Sequence, residues 1–156
     1  MINSYLDIKK NILAVALQRT NDRIAMIESA LETARDSSND DTKSSAGDKY
    51  EISREMIQQD INRYQGQLIE ANKDLLQLKN ITSAVGDKTD FAKLGSLVKT
   101  NVGLYFIATS IGEIKIGDNN VFVISAASPI GQLLLGRKIG ESFLFNRLNQ
   151  TILELY

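Results

Sequence analysis

The chain has 156 residues, of which 43% are hydrophobic and 24% charged, as in an ordinary globular protein of one domain or two small ones. Its net charge of −1 gives no electrostatic argument for nucleic-acid binding. The lack of cysteine and histidine excludes disulfides, zinc–thiolate sites and a serine–histidine triad, so any metal would be held by oxygen ligands, as Mg²⁺, Mn²⁺ or Ca²⁺ is.

The sequence predicts a cytoplasmic protein. No segment approaches the roughly 20 apolar residues of a membrane span. Lys9 and Lys10 precede a short apolar run, residues 12–17, which faintly resembles a signal peptide. The run is too short for that role, and the helical pattern continues through it, so we interpret it as part of a helix.

Residues 4–36 are predicted to form a first long helix. Within it, mostly apolar positions recur at alternating spacings of four and three residues, which places them on one narrow stripe, as in coiled coils. The stripe consists of Leu13, Leu17, Thr20, Ile24, Ile27, Leu31 and Ala34.

Residues 48–81 are predicted to form a second long helix with the same spacing. Its stripe consists of Ile57, Ile61, Tyr64, Leu68, Ala71, Leu75 and Leu78. When the two stripes are aligned antiparallel, the numbers of facing residues add to a nearly constant value, which centres the turn on residue 46. Residues 1–82 are therefore predicted to be a coiled-coil hairpin with a tip over residues 40–51.

The remainder is predicted to be a linker over residues 83–95 and a second domain over residues 96–156. Short β-branched and aromatic runs between turn residues predict strands at 97–100, 104–111, 120–125, 142–147 and 151–156. One helix is predicted between Ser128 and Gly136, because Ser is a good N-cap, Pro suits the first helical position, and Gly suits the C-terminal end. The fold class is α+β, a helical hairpin followed by a small antiparallel sheet with one short helix.

Two segments resemble motifs of the Gre family of bacterial transcript-cleavage elongation factors. The stretch from Ser128 to Glu141, SPIGQLLLGRKIGE, is similar to the family pattern S-P-[LI]-[GA]-x-x-L-[LI]-G-[KR]-x-x-G-[DE]. Residues 47–51, GDKYE, are similar to the G-D-x-x-E of the family's hairpin tip. The resemblance covers nearly the whole chain and implies an FKBP-like C-terminal domain that docks on RNA polymerase.

The resemblance implies a role for two acids. In the family the hairpin enters the secondary channel of RNA polymerase, and the tip acids orient a Mg²⁺ shared with the polymerase for hydrolysis at the 3′ end of the nascent RNA. By position, these acids are Asp48 and Glu51. The isolated chain would then hold no metal and have no enzymatic activity.

Further residues follow from the same resemblance. Asp40 and Asp41 add two acids to the tip, and Ser128, Pro129 and Ile130 lie in the predicted polymerase-binding surface. Family members use basic residues to guide RNA phosphates, a role open here to four residues of the hairpin: Arg19, Arg23, Arg54 and Arg63.

Alternatives stay open at this point. Asp48 and Glu51 could simply complement the dipole of the second helix. Where active family members commonly continue Asn-Ala-Glu-Tyr after the tip, this chain has Ile52-Ser53-Arg54-Glu55, so a non-catalytic or inhibitory channel regulator is a second hypothesis. A coiled-coil adaptor or chaperone is a third. The stripes pair within one chain, which favours a monomer.

Overall fold

The computed structural model describes residues 4–41 and 47–156, and it describes their side chains except at residues 40, 41 and 47–50. Two long helices come first, α1 (Tyr5–Asp41) and α2 (Gly47–Ser83). Six strands and a short helix follow: β1 (Leu97–Thr100), β2 (Leu104–Ala108), β3 (Gly112–Ile116), β4 (Asn119–Ser125), α3 (Pro129–Leu134), β5 (Ser142–Phe145) and β6 (Leu148–Leu155). The predicted fold class is confirmed. Over these described ranges, no helix is long and apolar enough to cross a membrane.

The chain packs as two compact units. The helical unit comprises residues 19–75, and the sheet unit comprises the described residues up to 18 together with 76–156. The boundaries predicted at residues 82 and 95 follow changes in composition and stay a prediction. Within that predicted linker, Ala92 is 1% exposed. Its N–H donates to the carbonyl of Arg137 at 2.8 Å, and its carbonyl accepts from the N–H of Gly136 at 2.7 Å.

The core of the helical unit consists of the predicted stripes. Ile27, Leu31, Ile61 and Ala71 are buried and form one cluster with five half-buried residues, namely Ile24, Ala34, Ile57, Tyr64 and Leu68. Every member of this cluster is a stripe position, and both helices contribute to it. Thr20, the polar stripe residue of this unit, is only 3% exposed. The pairing of the two helices along these stripes is therefore confirmed.

The sheet unit contains a six-stranded sheet in the order β3-β4-β2-β1-β6-β5. Four of its five strand pairs are antiparallel, whereas β2 and β4 are parallel. The predicted antiparallel sheet is confirmed except at that pair. Strand β3 lies between β2 and β4 in the chain and forms a hairpin with β4 at the edge, so β4 returns beside β2 in the same direction.

The sheet is covered on both faces. Neighbouring residues of a strand point to opposite faces, and Leu97 belongs to one core cluster while Val98 belongs to the other. The first cluster includes residues of the helix ends, such as Ile12 and Leu78. The second includes Ile130 and Leu134 of α3. Both layers bury large apolar side chains, which is the main stabilisation of this unit.

The strand predictions need correction at several points, since β2 ends at Ala108 and β5 at Phe145, before the predicted ends at residues 111 and 147. Strand β3 was not predicted, although its residues Ile114 and Ile116 are buried between exposed neighbours, which is the alternation of a half-buried strand. Strand β6 begins at Leu148, three residues before the predicted start. The turn before it is tighter than expected because Asn146 and Arg147 both have positive φ, 50° and 66°, as a two-residue hairpin turn requires.

Candidate functional site

The backbone places two of the predicted tip acids on one helix. Helix α2 begins at Gly47, so Asp48 and Glu51 both lie in its first turns, three residues apart. Residues at this spacing are neighbours on a helix surface. The side chain of Glu51 is exposed. The side chain of Asp48 lies outside the described residues.

The other two tip acids end the first helix. Asp40 and Asp41 are the last two residues of α1, and their side chains also lie outside the description. The metal-orienting role of the tip acids therefore stays a prediction. Among the side chains that are described, no group of three or more carboxylates could hold a metal ion.

Two apolar side chains are exposed on α2 shortly after Glu51. Ile52 is 60% exposed and Met56, one turn further along α2, is 62% exposed. These side chains lie outside the stripe that packs against α1, so they make no contribution to the core of the helical unit. An exposed pair of this kind beside two acids is available for contact with another molecule.

Two of the four candidate RNA-guiding arginines already have partners within the helical unit. Arg23 Nη2 lies 3.1 Å from Asp74 Oδ2, which joins α1 to α2. Arg63 Nη2 lies 3.2 Å from Asp60 Oδ1, and its guanidinium stands 5.0 Å from the centre of the Tyr64 ring. Arg19 and Arg54 are exposed. The role of these arginines toward RNA stays a prediction.

The Ser128-Pro129-Ile130 motif starts α3 as expected. The Ser128 hydroxyl accepts from the Gly131 N–H at 3.0 Å and donates to the Ser125 carbonyl at 2.7 Å, while Pro129 occupies the first helical turn. Ile130 is only 7% exposed and packs in the second core cluster. Of the three residues predicted to bind polymerase, Ser128 is half-buried, Pro129 is exposed and Ile130 lies in the core.

Gly131 explains the fourth position of that motif. A Cβ at this position would lie 2.1 Å from the Ser125 carbonyl oxygen and 2.9 Å from the Ser128 hydroxyl. Only glycine fits there without moving backbone. The glycine of this chain therefore has a structural reason that is independent of any partner.

The sequence analysis missed a charged residue on the buried face of α1. Lys9 is only 5% exposed, although its type is almost never fully buried without a partner. The signal was present in the sequence, since Lys9 lies four residues from both Tyr5 and Leu13, which pack in the first core cluster. A lysine at that spacing is placed among apolar residues by the helix itself.

Three hydrogen-bonded side chains connect the start of α1 to the end of β6 within the sheet unit. The hydroxyls of Tyr5 and Tyr156 both donate to Glu154 Oε2, at 2.7 and 3.0 Å. The hydrogen bond from Tyr5 and then that from Tyr156 lower the pKa of Glu154 below its ordinary value. The same bond to Glu154 raises the pKa of Tyr5. This arrangement holds the two segments together and implies no reaction with a ligand. We call the three residues Tyr5, Glu154 and Tyr156 the Glu154 clasp.

Comparison with known proteins gives one kind of match. No protein-family model matches this chain, and no curated protein matches it. Among solved structures, it is similar to one described as the transcription factor Gfh1, with 18% identity, a TM-score of 0.34, and coverage of 90% of this chain and 93% of that one. A structure of Gfh1 from Thermus aquaticus is 14% identical, with a TM-score of 0.33 and coverage of 86% and 94%. A likeness at this level does not establish function.

Proposed function

We propose that this chain is a Gre-like factor that binds RNA polymerase, enters its secondary channel with the hairpin tip and stimulates cleavage of backtracked RNA. One observation carries the proposal. The GDKYE segment, residues 47–51, forms the start of α2, and residue 46, on which the spacing of the two stripes is centred, directly precedes it in the sequence. The position that the family resemblance assigns to the acids is thus also the position reached from the heptad spacing.

In this proposal, different parts of the chain have different roles. Asp48 and Glu51 present carboxylates from one side of α2, where they orient the water that attacks the RNA phosphodiester. The paired stripes hold the two helices together, so that the acids are carried on a stiff support. The sheet unit supplies the surface that docks on the polymerase, with Ser128 and Pro129 at the start of α3.

The donor set suits the metal that the family resemblance implies. Carboxylate oxygens are hard ligands of the kind that Mg²⁺ prefers, but two carboxylates fill only part of its octahedral shell. The remaining ligands would come from the polymerase, which makes the chain an accessory factor without activity of its own. When bound, Mg²⁺ supplies charge neutralisation at the scissile phosphate and a more acidic water.

The test is transcript cleavage in a stalled, backtracked elongation complex of the cognate polymerase with Mg²⁺. We expect the wild-type chain to shorten the RNA from its 3′ end. The variant Asp48→Asn/Glu51→Gln should bind equally well and cleave about 100-fold more slowly, because charges that act on the transition state are removed.

A matched control separates this effect from a general loss of charge. Glu55 is also exposed on α2, one turn beyond Glu51. Glu55→Gln should leave cleavage at the wild-type rate. Equal losses in both variants, or cleavage that survives in Asp48→Asn/Glu51→Gln, would refute the assigned roles.

The exposure of Ile52 favours a second candidate function, a regulator that occupies the channel without cleavage. At 60% exposure, this side chain stands free of the helix pair and adds bulk beside the acids. In that case the wild-type chain binds and slows nucleotide addition. Ile52→Ala should then relieve the inhibition, and Asp48→Asn/Glu51→Gln should produce no cleavage defect.

The adaptor or chaperone reading predicts a stripe that opens to bind clients. The stripe positions of the helical unit are instead buried or half-buried between its own two helices. If the chain fails to bind its cognate polymerase, both transcription hypotheses are refuted and the adaptor or chaperone hypothesis is supported.

A further inference from the structure

The two edges of the six-stranded sheet differ in charge. Strands β3 and β5 lie at the edges. Strand β3 carries Glu113 and Lys115, both exposed, and charged side chains on an edge strand discourage pairing with another chain. Strand β5 has the sequence SFLF, with no charged residue and no proline. The edge at β5 is therefore the one that can accept a further strand.

An apolar side chain is exposed in the middle of β5. Phe143 is 5% exposed and lies in the second core cluster, against which Phe145 packs. Leu144, between them, points to the opposite face of the sheet and is 61% exposed. An exposed leucine on an edge strand is available for a cross-strand contact with a residue of an added strand.

The turn after β5 determines which of its backbone groups point outward. Residues 146–147 form a two-residue turn, so Phe145 forms a hydrogen-bonded pair with the first residue of β6. Such pairs alternate with non-hydrogen-bonded ones along antiparallel strands. Leu144 is therefore in a non-hydrogen-bonded pair, and its N–H and C=O point away from β6. The bond of 3.0 Å from the Ile152 N–H to the Glu141 carbonyl fits this alternation.

Ser142 is the other residue of β5 whose backbone groups point outward by this alternation. Its carbonyl already accepts a hydrogen bond from Arg137 Nη1 at 3.1 Å. Leu144 is therefore the residue at which an added strand can bond both the N–H and the C=O. Two residues that exchange both bonds lie directly opposite each other, so this position fixes the register of the added strand.

We propose that β5 is a dimerisation edge, which pairs antiparallel with β5 of a second copy of the chain about a two-fold axis at Leu144. Leu144 of one copy then lies opposite Leu144 of the other, and Phe143 lies opposite Phe145. The pairing joins the two six-stranded sheets into one continuous sheet. The stripes that favour a monomer belong mainly to the helical unit, whereas this edge belongs to the sheet unit. The proposal does not depend on the action at RNA polymerase.

Charges at the two ends of β5 favour a second copy as the partner. Glu141 lies three residues before Leu144 and Arg147 three residues after it, and both are exposed. An antiparallel pairing about Leu144 brings the Glu141 end of each copy beside the Arg147 end of the other. The same surface is used twice, so one register produces two pairs of opposite charges. A strand from another protein would have to supply both charges separately.

The first experiment is sedimentation equilibrium of the full chain. One four-residue strand from each copy buries far less than the roughly 1,200 Å² of a stable complex, so we expect a weak dimer. The average mass should rise toward that of two chains as the concentration approaches about 1 mM. In parallel, NMR hydrogen exchange should show slower exchange of the Leu144 N–H as the dimer forms, whereas the N–H of Lys115 on the other edge should keep its rate.

A matched pair of substitutions locates the interface. Leu144→Lys places two ammonium groups opposite each other at the axis and should raise the dissociation constant of the dimer by about tenfold or more. Leu76, in α2, is also 61% exposed and belongs to the same sheet unit. Leu76→Lys makes the same chemical change away from β5 and should leave the constant unchanged.

Charge reversal tests the register. Glu141→Arg and Arg147→Glu each place like charges at both ends of the pairing, so each variant alone should dimerise about tenfold more weakly. In an equal mixture of the two variants, each cation meets a carboxylate of the other chain. The mixed dimer should therefore form about as readily as the wild-type dimer, and sedimentation equilibrium of the mixture measures it.

Three results would overturn the proposal. A chain that stays monomeric at about 1 mM does not pair with a second copy, whatever other strand its β5 accepts. A dimer that keeps the wild-type constant in Leu144→Lys forms through another surface. A mixture of Glu141→Arg and Arg147→Glu that dimerises no better than either variant alone refutes the register centred on Leu144.

Discussion

The ring of Tyr5 lies almost flat on the ring of Tyr156, with centroids 3.7 Å apart and planes inclined by 16°. Both hydroxyls donate to the same oxygen of Glu154. The start of α1 is thereby fastened to the end of β6, across a sequence separation of 149 residues between Tyr5 and Glu154. A stack and a shared carboxylate make this contact sensitive to pH as well as to mutation.

We expect the Glu154 clasp to weaken in acid. Its pKa is lowered in the folded state, so its stabilisation is fully present above the ordinary value of 4.5 and is lost as the pH falls through the lowered pKa. Tyr5→Phe/Tyr156→Phe keeps both rings and removes both donors. The Glu154 titration midpoint, followed by carboxyl-carbon NMR, should move up toward 4.5 in this variant.

The same variant also tests the clasp through the pH dependence of the free energy of unfolding. The free energy of unfolding in urea should fall less steeply with acid in Tyr5→Phe/Tyr156→Phe than in wild type, because Glu154 then has nearly the same pKa folded and unfolded. An unchanged NMR midpoint in the variant would show that the two hydroxyls do not set the pKa of Glu154.

Gly131 should tolerate no side chain. Gly131→Ala forces a Cβ to within 2.1 Å of the Ser125 carbonyl oxygen, and backbone must move to relieve the clash. We expect a loss of about 3 kcal/mol in the free energy of unfolding, at the upper end for overpacking. Gly86→Ala is the control, because a Cβ there meets nothing within 4 Å, and its change should stay within about 0.5 kcal/mol. Similar losses in both variants would contradict this explanation of the motif.

The helix pair could be predicted because its signal is local and repeated. Each stripe position constrains the next through the helical period, and two matched stripes also give the pairing. The stripe residues of the helical unit accordingly form one cluster. The start of α3 could be predicted in the same way, since Ser128 and Pro129 act on residues close to them in the chain.

The parallel pairing of β2 with β4 could not be predicted in the same way. It depends on which strands become neighbours in space, and no residue of either strand specifies its partner. Strand β3 was missed because it is short and at the sheet edge, with the charged Glu113 and Lys115 alternating with two isoleucines. At the site, sequence spacing located Asp48 and Glu51 on one helix, but the hydrogen bonds of Tyr5 and Tyr156 to Glu154 required the tertiary structure.

The exposed position of Gly66 in α2 predicts a stabilising substitution. A Cβ there meets nothing within 4 Å, and Gly66 lines an open groove of about 710 Å³ together with Met26 and Tyr64. Gly66→Ala should raise the free energy of unfolding by about 1 kcal/mol, because alanine loses less backbone entropy in a helix. The measurement is urea unfolding followed by circular dichroism at 222 nm.

A substitution at Gln67, the residue after Gly66, supplies the control. Gln67 is exposed on the same helix, and Gln67→Ala should change stability by only a few tenths of a kcal/mol because both residues are good helix formers. If Gly66→Ala destabilises the chain, the backbone of α2 at this position has a conformation that needs glycine, and the prediction is wrong.

The partly desolvated ammonium of Lys9 should make the chain more stable in mild alkali. Its pKa is lowered in the folded state, so the unfolded chain binds more protons between that lowered value and the ordinary 10.5. Over this window the free energy of unfolding rises with pH, by up to about 1.4 kcal/mol per unit for one proton. Below the window the cost of the charged lysine is present in full.

Tyr5 opposes this trend at higher pH. Its pKa is raised above the ordinary 10.0, so the folded chain retains a proton that the unfolded chain loses, and stability then falls as the pH rises. The two effects predict a maximum of stability in alkali. In Lys9→Met, the rise of the free energy of unfolding with pH should disappear and its fall at higher pH should remain. In Lys79→Met, which changes an exposed lysine of α2, both should remain. A rising limb that survives in Lys9→Met would show that another group, and not this ammonium, is desolvated on folding.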